Sequence, residues 1–154
     1  RKRMEIFDIE NPPQTYDGFV LSVKKAIEAA EVPIDDFYPD ALFTVNEYGL
    51  GQIIDVDIVV DNIEQPHQFV LETICVQHIR EGDVKWYGYV SVVDDGEDDF
   101  LVLVTGHKHL TEMFITEIVT VGERKHVKQW HPSNPSTSFQ KIVIPLRQAI
   151  VNRG

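Results

Sequence analysis

The chain has 154 residues, 43% of them hydrophobic and 25% charged, a composition that excludes a disordered or fibrous chain and suits an ordinary globular domain. A chain of this length buries roughly two thirds of its unfolded surface, so neither a disulfide nor a structural metal is required. The net charge of −11 argues against binding to nucleic acid or anionic membrane, and no apolar run approaches the ~20 residues of a membrane-spanning helix.

The charge is unevenly spread. Between Met4 and Glu123 lie all 25 acidic residues and only five basic ones, a net of −20. After Glu123 come Arg124, Lys125, Lys128, Lys141, Arg147 and Arg153 with no acid, a net of +6, and Arg1, Lys2 and Arg3 supply the rest. We read one domain over 1–154, with an extended arm over 1–16 and a basic C-terminal segment over 124–154. Arg1–Asp8 lacks the apolar core of a signal peptide, so no leader is expected. The single cysteine, Cys75, cannot form an intramolecular disulfide, and a reducing, cytoplasmic setting fits it.

Glu10–Gln14, with two prolines, predicts a loop. A helix follows, with Asp17 as N-cap, Phe19, Val20, Val23, Ile27 and Ala30 as its buried stripe, Lys24, Lys25 and Glu28 outward, and Pro33 as its stop. The period then changes to two. Ala41–Glu47 predicts a strand, Tyr48–Gly51 a turn, and Gln52–Val60 a half-buried strand with Asp55 and Asp57 on its polar side. Phe69–Ile79 predicts a third strand holding Cys75 as a small buried hydrophobe. Val84–Val93 and Phe100–Thr105 predict the fourth and fifth, joined by the hairpin turn Asp94–Asp98. Trp86, Tyr87 and Tyr89 read as core and cross-strand packing.

His109–Val121 breaks strand alternation. Leu110, Met113, Phe114, Ile118 and Val121 fit one helical face, so a helix ending near Gly122 is predicted. Arg124–His131 should be extended and Pro132–Ser138 a linker. Lys141–Ile144 predicts a short strand, and Leu146–Asn152 a last helix with Pro145 in its first turn. Short turns between successive strands imply an antiparallel sheet. The fold expected is α+β: an antiparallel five- to six-stranded sheet, the N-terminal helix packed on one face, and one or two later helices.

Gly106–Thr111 is the densest cluster of reactive side chains. His107 and His109 form a His-x-His, which can hold a metal. The carboxylate such a site needs after three or four intervening residues is missing, because Glu112 comes too early and Glu117 too late. His109-Leu110-Thr111 is a His-x-Thr, which in pairs can serve phosphoester hydrolysis. No second His-x-Thr occurs in the chain, and neither His67 nor His78 is followed by a hydroxyl at that spacing. The favoured reading is a strand-to-helix connection, with His109 near the start of the helix. No tightly bound transition metal is expected. Asp55, Asp57 and Glu72 could together hold a hard cation, but charges alternating on a solvated sheet face explain them as well. The chain carries no phosphate loop, dinucleotide fingerprint, nucleophile elbow or paired-cysteine motif, so no cofactor is expected.

Arg124, Lys125, Lys128 and Trp130 form a cationic arm with one aromatic. Such an arm can bind phosphate and stack a base, but docking on the acidic body, its own or a neighbour's, is preferred, with Trp130 at least half buried. Three functions follow. The first is a non-catalytic binding protein that uses its acidic surface, Asp55 and Asp57 included, to engage a basic protein partner, as an inhibitor, immunity protein or chaperone does. The second is a small hydrolase or phosphoesterase-like enzyme centred on His107, His109 and Thr111. The third is a structural subunit of an oligomer, docked through the basic arm. The first is preferred, because no catalytic constellation is complete and an enzyme of anionic substrates needs positive potential at its cleft.

Overall fold

The computed structural model describes residues 9–29, 32–33, 41–55, 70–94, 99–122, 124–133 and 139–152. Helix α1 runs over Tyr16–Ala29. Its cap is Thr15, whose hydroxyl accepts the Gly18 N–H at 3.1 Å; Asp17, expected at the cap, sits one residue inside the first turn, where its charge favours the helix dipole. Phe19, Val20, Val23, Ala26 and Ile27 form the buried stripe. Lys24, expected to point outward, instead lays its ammonium over the Phe114 ring, 3.5 Å from the centroid.

The strands are β1 (Val32–Pro33), β2 (Ala41–Asn46), β3 (Gly51–Asp55), β4 (Val84–Asp94), β5 (Asp99–His107), β6 (Leu110–Val121), β7 (Arg124–Val127) and β8 (His131–Ser133). All pairings are antiparallel, and the sheet runs β1-β7-β6-β5-β4-β2-β3, with β8 also on β6. Six of these strands have four residues or more, and the short β1 and β8 extend one side. Strand β6 is long enough to pair with β8 through Met113–Ile115 and with β7 through Ile118–Val121 on the same outer edge. Two further helices are seen among the described residues: a widened π-helical segment, Val70–Cys75, leads into α2 (Val76–Glu81), and α3 spans Gln140–Val151.

The sheet is covered on both faces. Phe43, Trp86, Val90, Leu101, Leu103 and Phe114 meet α1, joined by Val127 and Trp130. Leu42, Tyr87, Tyr89, Val102, Val104 and Met113 meet α2 and α3. This is the expected α+β architecture with an antiparallel sheet, an N-terminal helix and later helices.

Four segments differ from the sequence reading: Pro132 and Ser133, expected in a linker, belong to β8 and pair with Phe114 and Met113, and three longer stretches change type. Residues 110–121 form β6, not a helix. Met113 and Phe114 are adjacent yet both buried, on opposite faces, because a central strand covered on both sides loses its polar alternation. Its Thr and Ile content then decides for strand. Residues 70–81 are helical, not a strand: Cys75 and Ile79, four apart, are both buried against the sheet. Residues 140–151 form one helix in place of a strand and a shorter helix. Pro145 lies inside it and removes one helical hydrogen bond; burial of Val143, Leu146, Ala149 and Ile150 outweighs that loss. The expected strand over Gln52–Val60 is seen through Asp55; 56–60 lie outside the described residues, as do 95–98 of the turn closed by the Asp94–Asp99 pair.

Candidate functional site

His107 ends β5 and Leu110 opens β6, the two being register partners, so Lys108-His109 is a two-residue hairpin loop. The His107 ring supports it: its Nδ1 accepts the backbone N–H of His109 at 3.1 Å.

Register separates the three residues of the histidine cluster. Thr111 pairs with Gly106 and is therefore one step out of phase with His107. Successive strand residues point to opposite faces, so His107 faces α1 and Thr111 faces α3. His109 is exposed at the turn, its ring 6.3 Å from that of His107.

On the α1 face His107 packs edge-on against Tyr16, with ring centroids 4.9 Å apart. The Tyr16 and Thr105 hydroxyls share a hydrogen bond of 2.8 Å. Burial pushes the Tyr16 phenol well above its ordinary range; the Thr105 bond opposes this and the Glu112 carboxylate adds to it. Burial also lowers the Lys24 ammonium, against the opposing pull of Glu112 and Glu28. These contacts tie the first turn of α1 to the end of the sheet.

On the other face the Tyr87 phenol is raised by burial, while the Thr111 hydroxyl and the Arg147 charge pull it the other way. His78, on α2, is within 3.5 Å of the Thr44 hydroxyl, and burial lowers its pKa. His78 and His107 therefore lie on opposite sides of the sheet. The lowered value has a consequence for stability: the unfolded chain takes up the His78 proton first, so the contribution of neutral His78 is complete above about pH 6.5 and is lost as pH falls through the lowered folded value. Denaturant midpoints should fall as pH drops below about 6.5, and His78→Gln should flatten that dependence. An unchanged slope in the variant would contradict the assignment.

The acidic candidates Asp55, Asp57 and Glu72 are placed only in part. Asp55 closes β3 opposite Ala41, and Glu72 belongs to the π-helical segment. The side chains of both lie outside the described part, and Asp57 and His67 fall outside the described residues. Among the described residues no group of three or more His, Cys, Asp or Glu side chains converges as a metal site would require. Cys75 is buried.

The basic arm is partly placed. Arg124 and Lys125 lie in β7, paired with Val121 and Thr120 on one side and with Pro33 and Val32 on the other; their side chains are outside the described part. Lys128 makes an ion pair with Glu117 at 3.1 Å and donates its backbone N–H to the Glu117 carbonyl at 3.1 Å. Both side chains are exposed, so the ion pair is worth about 1 kcal/mol or less. The expected burial of Trp130 is observed: it is 7% exposed within the α1-side core.

A further feature was read from sequence only as a turn. Between β2 and β3, Tyr48 is 77% exposed and Leu50 56%. The Asn46 side chain accepts the N–H groups of both, at 2.9 and 3.0 Å. Asn46 N–H donates to the Leu50 carbonyl at 2.9 Å, and Gly49 N–H to the Asn46 carbonyl at 3.0 Å. Gly49 adopts φ +79°, a region glycine enters without the steric cost of a side chain. Glu47 N–H donates to the Asp83 carbonyl at 2.8 Å, bringing the end of α2 alongside. Glu47, Glu81 and Asp83 are exposed there, and the nearby Lys85 ammonium is drawn over Trp86 at 4.8 Å. The result is a fixed tip with two apolar side chains and an acidic rim. The readable signal was the pair of large apolar residues where turns favour small or polar ones.

No family model, no curated protein and no solved structure matches the chain.

Proposed function

We propose that this chain is a non-catalytic binding protein that engages a basic protein partner through the acidic β2–β3 tip. The observation that carries the reading is the exposure of Tyr48 and Leu50 on a turn already fixed by backbone and Asn46 hydrogen bonds. Interface anchors are characteristically aromatic or aliphatic groups surrounded by a polar rim. A turn that is ordered before binding loses little entropy when a partner closes on it. The rim of Glu47, Glu81 and Asp83, within a stretch of net charge −20, attracts a basic surface and repels an acidic one. The hydrolase alternative finds less support, since His107 and Thr111 face opposite sides of the sheet. A cytoplasmic setting accords with the lone cysteine.

Salt tests the electrostatic part. At about 0.5 M salt the Debye length falls to roughly 4 Å, so affinity for a purified basic partner should drop at least ~10-fold from its value at ~0.05 M. Affinity that stays flat across this range would overturn the electrostatic account.

A further inference from the structure

The outward face of α3 is the chemical opposite of the β2–β3 tip. Ile144 and Val151 are 44% and 45% exposed. With Arg147 they stand at i, i+3 and i+7, and Lys141 precedes Ile144 by three, so the four share one helical face. Lys141 and Arg147 are exposed. No acidic residue occurs in α3 or anywhere after Glu123. The inner face, Val143, Leu146, Ala149 and Ile150, is spent on the sheet, so the outer stripe is not needed for folding.

We propose that this stripe is the docking site for the acidic tip of a second copy of the chain. The inference rests on the reading of the tip as a docking element. The occupant is argued from complementarity: an apolar pair with a cationic rim on α3 faces an apolar pair with an acidic rim at the tip. The two surfaces lie on different elements of one molecule, so the contact is heterologous and joins copies head to tail. Each docked tip is then closed to a basic partner, and self-association and partner binding compete. Fields of opposite sign at the two surfaces outweigh the repulsion between copies only at close approach, so the contact weakens with salt.

The test is sedimentation of the full chain over about a hundredfold range of concentration at ~0.05 M salt. Wild type should associate progressively. Lys141→Glu with Arg147→Glu should weaken this at least ~10-fold, and so should Glu47→Lys with Asp83→Lys, because like charges then oppose each other. All four substitutions in one chain exchange the two rims, leave the net charge of −11 unchanged, and should restore association. Ile144→Ser with Val151→Ser, also outside the core, should weaken association without any change of charge. Association indifferent to α3, or no rescue in the fourfold variant, overturns the proposal. A wild-type chain that stays monomeric while Tyr48→Ser with Leu50→Ser loses its basic partner overturns the α3 assignment alone. Self-association that depends on both surfaces, with a basic partner indifferent to the tip, upholds self-docking and overturns the binding reading.

Discussion

Replacing Trp130 by alanine is expected to cost about 3–5 kcal/mol of folding stability, the range for truncating a buried aromatic. Trp130 is 7% exposed and packs in the core that holds Phe19, Phe114 and Val127. It also joins β7 to β8, the two short strands that complete the outer edge of β6, so its loss loosens the basic segment as well as the core. For a chain of this size each kcal/mol moves the melting temperature by roughly 2–4 °C, and the midpoint should fall by about 10 °C. Trp130→Phe separates packing from hydrogen bonding. The indole Nε1 is buried with no partner among the described residues, so phenylalanine loses no bond and should cost much less. Equal losses in the two variants would contradict the packing account, and a loss below about 1 kcal/mol for alanine would show that Trp130 is not an anchor.

Gly106→Ala is expected to destabilise by about 2–3 kcal/mol through overpacking. A Cβ at this buried position would stand 2.7 Å from the Leu110 carbonyl oxygen and 2.9 Å from the Tyr87 ring and hydroxyl. Neither neighbour yields easily: the carbonyl belongs to the start of β6, and Tyr87 is fully buried. Gly88 supplies the control. A Cβ there would meet Val23 at 3.5 Å and nothing closer, an ordinary contact, so Gly88→Ala should be neutral or stabilise by up to about 1 kcal/mol. Denaturant midpoints of the two variants should therefore move in different directions or by very different amounts. Equal shifts would mean that the close approach at Gly106 does not govern its stability.

Much of the fold was legible where one face of an element stays wet or where turns punctuate it. The stripe of α1, the β2–β3 hairpin and the β4–β5 pair follow from periodicity and from Gly49. The three longer misread segments share a cause, since each is buried in a way that hides its period. Strand β6 is covered on both faces and shows Met113 beside Phe114. The helical stretch over 70–81 is rich in residues that favour strands, and only the spacing of Cys75 and Ile79 tells against one. In α3, Pro145 reads as a boundary although the tertiary contacts of Leu146 and Ile150 carry the helix through it.

The candidate site was legible in chain order and not in space. His107, His109 and Thr111 are neighbours along the chain, but one step of strand phase sends His107 to Tyr16 and Thr111 toward Tyr87 and Arg147. Charge, by contrast, needs no register to be read. The division at Glu123 survives folding as acidic side chains around the tip and an acid-free α3. What the sequence hid was the conformation of the tip, because the exposure of Tyr48 depends on Asn46 turning its side chain onto the backbone of the loop.

The binding reading stands or falls on that tip, and the most direct measurement is the affinity of a purified basic partner for wild type and for Tyr48→Ser with Leu50→Ser. Both side chains lie outside the core and the hydrogen bonds that fix the turn come from Asn46 and the backbone, so the variant should keep its fold and its denaturant midpoint. Truncating two anchors at the centre of an interface should weaken binding at least ~30-fold, corresponding to 2 kcal/mol or more. A correctly folded variant that binds as tightly as wild type would contradict the account.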